Sequence, residues 1–101
     1  MKKTVIITGG NKGIGLEITK IFANNGYSVF VGARENTENL KRMNGDITFV
    51  TTNVKFESDH QNLVKIALNK TGRLDTYINN AGFSAWRSIG NIDDVFLTDM
   101  L

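Results

Sequence analysis

The sequence predicts an α/β fold, a doubly wound parallel sheet of about four strands with helices on both faces. Three observations predict it: four short runs rich in β-branched and aromatic residues, segments of helical apolar spacing between them, and a glycine-dense turn, "TGGNKGIG", directly after the first run. Parallel neighbours need crossovers of a dozen or more residues, usually helical and right-handed, and strands alternating with helices supply them.

The runs are "TVIIT" (4–8), "YSVFVGA" (27–33), "DITFVTT" (46–52) and "RLDTYIN" (73–79), with turn-formers at their edges. Between the first two, Ile14, Ile18, Ile21 and Phe22 fall at i, i+4, i+7 and i+8. That spacing predicts an amphipathic helix with these four on its buried stripe, closed by Asn25-Gly26. A short helix is expected over 36–43. Leu63 with Ala67, and Val64 with Leu68, repeat at spacing four and predict a helix over 57–71, stopped by Gly72. Residues 93–101 read as the opening of a further helix, with Asp93 and Asp94 in the first turn where the helix dipole favours acids.

Composition narrows the function classes. With 101 residues there is room for one domain, and 41% hydrophobic with 22% charged residues is ordinary for a globular chain, which argues against disorder or a fibre. No apolar run approaches the roughly 20 residues that span a bilayer, and the start lacks a long apolar stretch, so the expectation is a cytoplasmic protein with no membrane partner. Absence of cysteine excludes disulfides and thiolate metal sites. A net charge of +2, with no basic run longer than two residues, gives no ground for a nucleic-acid partner. His60, alone in "SDHQN" at a helix start, is expected to be solvated and to bind no metal. Ser84 and Ser88 lack a paired base, and Phe83 and Trp86 read as a cover for the open side of the sheet.

The glycine turn carries the chemistry. A strand ending at Gly9-Gly10 and leading through Gly13-Ile14-Gly15 into a helix aims first-turn N–H groups at whatever lies above the strand's carboxyl end, which makes an anion site. A Cβ in the loop would obstruct a pyrophosphate approaching the main chain, and Gly15 must also stay small for helix-to-strand packing. Glycine-rich turns also serve as plain connectors. The strand before and the helix after are the context that the cofactor reading requires.

T-G-x-x-x-G-x-G, read at Thr8, Gly9, Gly13 and Gly15, together with "NNAG" at 79–82, resembles the short-chain dehydrogenase/reductase family. The two motifs stand in the family's order, about seventy residues apart. The resemblance covers the whole chain but less than half of a typical member. It implies a Rossmann-like sheet of order 3-2-1-4 and a single half-size dinucleotide-binding domain over 1–101. It also carries cofactor contacts onto Gly9, Ile14, Asn80, Ala81 and Gly82, with Asn11, Lys12, Gly13 and Gly15 completing the phosphate loop.

Cofactor choice turns on the end of the second strand. An Asp or Glu there would accept from a ribose 2′-hydroxyl and repel a 2′-phosphate. This chain has Ala33 and then Arg34, whose planar guanidinium matches phosphate oxygens, and Lys12 adds a second cation. Both features look like the family's NADP-preferring branch, so NADP(H) is expected over NAD(H), although Glu35 beside Arg34 could pair with it or take the ribose itself. Where the family has Asp and an apolar residue against adenine, this chain has Asn53-Val54; an Asn amide both donates and accepts, so the contact survives in principle.

The family's catalytic pair is a Tyr with a Lys four residues later. A free phenol titrates near about 10 and is a poor acid or base at neutral pH without a neighbouring cation. Four residues after Tyr27 and Tyr77 stand Val31 and Ala81, and both tyrosines are expected to be core or rim residues of strands. No catalytic residue is therefore assigned, and the chain is expected not to be catalytic alone. It is read as an NADP(H)-binding domain, with two alternatives: one part of a carbonyl or alcohol oxidoreductase completed by a C-terminal half, and a cofactor-free interaction protein that keeps the fold. An exposed fourth strand would recruit another chain, so a homodimer through it or through the 93–101 helix is expected.

Overall fold

Every residue of "TVIIT" is β-branched, which suits a pleated strand packed on both faces, and every one is fully buried. This run is β1 (Thr4–Thr8). The computed structural model describes residues 2–80, in which β1 is followed by α1 (Gly13–Asn24), β2 (Ser28–Ala33), α2 (Glu38–Lys41), β3 (Ile47–Thr51), α3 (Glu57–Thr71) and β4 (Thr76–Asn79). The strands form one sheet of order β3-β2-β1-β4, the predicted order. All pairings are parallel, with Ile6 in register with Phe30 on one side and Tyr77 on the other.

Alternation along β1 and β2 divides the core into two layers. Ile6 and Phe30 face α3, where they meet Leu63, Ala67 and Tyr77. Val5, Ile7, Val29 and Val31 face the opposite way, against Leu40 of α2 and Leu16, Ile18, Phe22 and Ala23 of α1. The sheet is thus covered on both faces, as a doubly wound fold requires.

The structure corrects three expectations. The buried stripe of α1 is not the predicted one: Ile14 and Ile21 are 75% and 60% exposed, while Gly15 and Thr19 are buried. The Thr19 hydroxyl lies 3.0 Å from the Gly10 carbonyl oxygen and 2.9 Å from that of Gly15, so small and hydroxylic residues bring the helix close to the glycine turn. Leu68 of α3 is also exposed, whereas Leu63 and Ala67 of the same helix are buried. His60 is the third correction. It is fully buried rather than solvated, because it stands at i of the i, i+3, i+7 stripe that continues through Leu63 and Ala67 onto the sheet.

Element ends are set by local bonds. Gly72 closes α3 at φ 77°, its N–H donating to the Leu68 carbonyl at 2.8 Å. The predicted fourth strand begins late, at Thr76, because the Asp75 carboxylate takes the Thr4 N–H at 2.8 Å and pairs with Arg73, turning the chain before the ladder starts. The predicted second strand starts one residue late, with Tyr27 N–H donating to the Phe22 carbonyl of α1 at 3.1 Å, and the predicted third strand is shorter by Asp46 and Thr52, one residue at each end. The region expected to be helical over 36–43 is helical over Glu38–Lys41 only, with Thr37 as N-cap. The 93–101 segment, Phe83, Ser84, Trp86 and Ser88 lie outside the described residues.

Candidate functional site

The glycine turn opens where its sequence places it, above the carboxyl ends of the strands. Gly9 has φ 69° and Gly13 φ 57°, left-handed angles that side chains disfavour. Gly9 N–H donates to the Gly32 carbonyl at 2.8 Å, extending the β1–β2 ladder by one bond before the chain turns away. A Cβ on Gly15 would overlap the Gly9 carbonyl oxygen and stand 2.6 Å from Asn80 Nδ2. Gly15 is therefore small because the turn and the end of β4 converge on it. Asn80 completes that junction: its Nδ2 donates to the Gly9 carbonyl at 3.3 Å and its N–H to the Thr8 hydroxyl at 3.1 Å.

The N-terminus of α1 carries no cap. Lys12 at the N-cap position makes no side-chain capping bond, and no acid stands in the first turn. First-turn N–H groups of a helix lack intrahelical acceptors and bear the positive end of the dipole, so the Gly13-Ile14-Gly15 turn suits an anion. Gly13 and Ile14 are exposed there.

A cleft of about 380 Å³ lies beside this turn. Gly9, Asn11 and Lys12 form one wall, and Gly32, Ala33, Arg34 and Glu35 continue from the end of β2. Thr52 and Val54, after β3, form the third side. The volume falls within the range of roughly 300–1,000 Å³ found for small-molecule sites, enough for a nucleotide. A larger hollow, about 540 Å³, lies at the opposite end of the strands between Lys2, Ile21 and Tyr27, beside the Asn25-Gly26 turn that closes α1 and so at the negative end of that helix's dipole. In open parallel sheets ligands sit outside the strands' carboxyl ends, which is where the first cleft lies.

The predicted residues divide by what their side chains do. Lys12 and Arg34 are exposed on the rim, and among the described residues neither is held by an ion pair, so Glu35 does not neutralise Arg34. Asn11 is only 4% exposed. Its Nδ2 donates to the Glu35 carbonyl at 2.8 Å, and its own carbonyl accepts from the Thr37 hydroxyl at 2.5 Å. Asn11 thus clasps the glycine turn to the loop that carries Arg34. Asn53 folds back on its own loop, with Oδ1 accepting from Lys55 N–H at 3.1 Å and N–H donating to Asp59 Oδ2 at 2.6 Å. Ala81 and Gly82 lie outside the described residues.

Sequence reasoning missed Thr37, Thr52 and the role of His60. Thr52 is buried, its hydroxyl donating to the Val50 carbonyl at 2.9 Å, and it lines the cleft floor beside Gly32. A Cβ on Gly32 would press into Thr52 and Leu63, so the bare residue lets α3 close over β2. The signal for His60 was its register with Leu63 and Ala67. Among the described residues no group of three or more metal-ligating side chains is present and no helix is long and apolar enough to cross a membrane.

A parallel sheet with a glycine turn, an open helix N-terminus and a nucleotide-sized cleft defines a dinucleotide-binding protein of the doubly wound class. The chain matches the short chain dehydrogenase family over residues 3–100 and belongs to it. An uncharacterized oxidoreductase of Thermotoga maritima is 34% identical over 93 residues, spanning 86% of this chain and 36% of that protein. Glucose 1-dehydrogenase 2 of Bacillus subtilis is 37% identical over 89 residues, spanning 81% of this chain and 34% of that protein. Among solved structures, an actinorhodin polyketide ketoreductase variant with NADPH superposes with TM-score 0.72 at 28% identity, over 81% of this chain and 34% of that one. A short chain dehydrogenase from Bacillus anthracis gives TM-score 0.68 at 31% identity, over 89% and 43% of the two chains. The chain spans about a third of the length of the curated relatives it matches. Proteins of this family bind a nicotinamide dinucleotide.

Proposed function

We propose that the chain binds NADP(H) in preference to NAD(H) and forms the cofactor-binding part of an oxidoreductase that transfers hydride between the nicotinamide and a carbonyl or alcohol. The observation that carries the preference is Arg34: an exposed guanidinium on the rim of the cleft, unpaired among the described residues, where a carboxylate would select the unphosphorylated ribose. Lys12 across the cleft adds to the same field. The adenosine phosphates meet the glycine turn and the α1 N-terminus, and adenine lies toward Asn53 and Val54. Tyr77 does not serve as the acid or base of this reaction, since it is buried in the core and burial pushes its phenol up.

The protein works in the cytoplasm, in keeping with its lack of cysteine. It pairs with a second copy through β4, whose outer edge carries no strand among the described residues.

Fragments of the cofactor test the site without the nicotinamide. Adenosine 2′,5′-bisphosphate is expected to raise the melting temperature of the pure chain, and adenosine 5′-monophosphate to raise it less at equal concentration. Equal shifts would remove the 2′-phosphate from the account, and no shift with either would remove the cleft.

A further inference from the structure

The imidazole of His60 is bonded at both nitrogens, to the loop after β3 and to β4. Nε2 donates to the Val54 carbonyl at 2.8 Å, and Nδ1 is hydrogen-bonded to the Tyr77 hydroxyl. A carbonyl can only accept, so Nε2 carries the proton, and Nδ1 of that tautomer accepts from the phenol. Val54 lines the nucleotide-sized cleft, whereas Tyr77 lies in β4, opposite Ile6 of the central strand. One ring, fully buried under α3, therefore ties the loop after β3 to the far side of the sheet.

The other bonds of that loop are local. Asn53 N–H reaches Asp59, Lys55 N–H reaches the Asn53 side chain, and Phe56 N–H reaches the Asn53 carbonyl at 3.0 Å. Asp59 thus holds the start of the loop from α3, and His60, the next residue, holds the Val54 carbonyl that lines the cleft. Packing of α3 does not call for a polar ring here, because Leu63 and Ala67 already seat the helix on Ile6 and Phe30. A buried imidazole among apolar neighbours costs free energy unless both nitrogens are bonded. Both are bonded, and one of the two bonds ends at the wall of the cleft.

We propose that His60 is a positioning residue for the adenosine end of the cleft, setting the height of the Val54 wall by holding its carbonyl, while the bond to Tyr77 satisfies the other ring nitrogen and contributes to stability. This rests on the reading of the cleft as a dinucleotide site. His60 touches no cofactor atom; it acts through Val54.

Two amide variants separate positioning from stability. In His60→Gln the amide reaches the place of Nε2 and can still donate to Val54; in His60→Asn it reaches only the place of Nδ1, near Tyr77. Each loses one buried bond, so the melting temperatures of the two should fall alike. NADPH affinity of H60Q should stay within about threefold of the parent and that of H60N should weaken about tenfold, the size of one lost hydrogen bond. Equal affinities in the two variants would overturn the proposal. Amide hydrogen exchange without ligand gives an independent reading, with residues 54–56 exchanging faster in H60N than in H60Q. If the parent chain binds no NADPH, the functional reading fails, and exchange alone decides the brace: equal rates overturn it. If H60N does not fold, Tyr77→Phe takes its place. That change spares the Val54 bond, so the proposal requires near-parental NADPH affinity at a lower melting temperature, and a loss of affinity would overturn it.

Discussion

Arg34 and Gly15 show two ways in which a single residue can matter to this site. Arg34 is exposed on the rim of the cleft, so Arg34→Ala should leave the fold intact, weaken NADPH about tenfold, and change NADH binding by no more than about twofold. Parallel titrations of the variant and its parent with both cofactors check this, and equal losses for both would contradict it. Gly15 has no room for a methyl group, since Gly9 and Asn80 occupy its Cβ position. Gly13 has open space and only an unfavourable φ. Gly15→Ala should therefore cost about 1–3 kcal/mol through overpacking and abolish cofactor binding, while Gly13→Ala should cost only the left-handed penalty of about 1–2 kcal/mol. Urea unfolding of the two variants compares the costs. The positions of Arg34 and Gly15 were legible in the sequence, because a glycine turn after a strand and a residue directly after the next strand are placed at the strands' carboxyl ends by their spacing. Asn11 was legible only as part of the loop. That its side chain points inward to clasp the Arg34 loop depends on Glu35 and Thr37, which are distant in sequence.

Elements were legible where periodicity decides them and less so where a side chain competes with the backbone. All four strands and the long helices stand where apolar spacing puts them, but α1 presents a face rotated from the predicted one. Its contact is made by Gly15 and Thr19, which hydrophobic periodicity does not count, and Ile14 and Ile21 are left on the surface. The late start of β4 has a similar origin in Asp75, whose carboxylate replaces a ladder acceptor for Thr4. Arg73 first, and then the Thr4 N–H, hold the Asp75 carboxyl below its usual range. The Ser28 hydroxyl and Lys2 act in the same direction on Asp46, at the start of β3. A carboxyl with a lowered folded-state pKa contributes stability that is complete above its unfolded value, about 4, and is lost as pH falls through that value toward the folded one. Thermal melts should thus drop as pH goes from about 6 to about 3, and Asp75→Asn should be less stable near neutrality with a shallower acid dependence. An unchanged acid slope in the variant would show that Asp75 does not carry the effect.

At the scale of the whole molecule, the sheet order and its two-layer core follow from strand and helix alternation, and the cleft follows from the order. The central strand bears most of this, so Ile6→Ala, which removes a fully buried side chain from between Phe30, Leu63 and Tyr77, should cost about 2–5 kcal/mol by urea unfolding. His60 was the one buried polar residue that sequence reasoning placed in solvent, because a histidine near a helix start is usually wet and its partners, Val54 and Tyr77, come together only in the folded sheet. Pairing through β4 predicts a dimer in sedimentation velocity, and a single monomeric species at high concentration would contradict it. The central claim is that the glycine turn and Arg34 form a working NADP(H) site. Calorimetric titration of the pure chain with NADPH and with NADH, at one fixed ionic strength, tests it most directly. NADPH should bind saturably and at least about tenfold more tightly than NADH; no heat with either cofactor, or tighter binding of NADH, would contradict a working NADP(H) site.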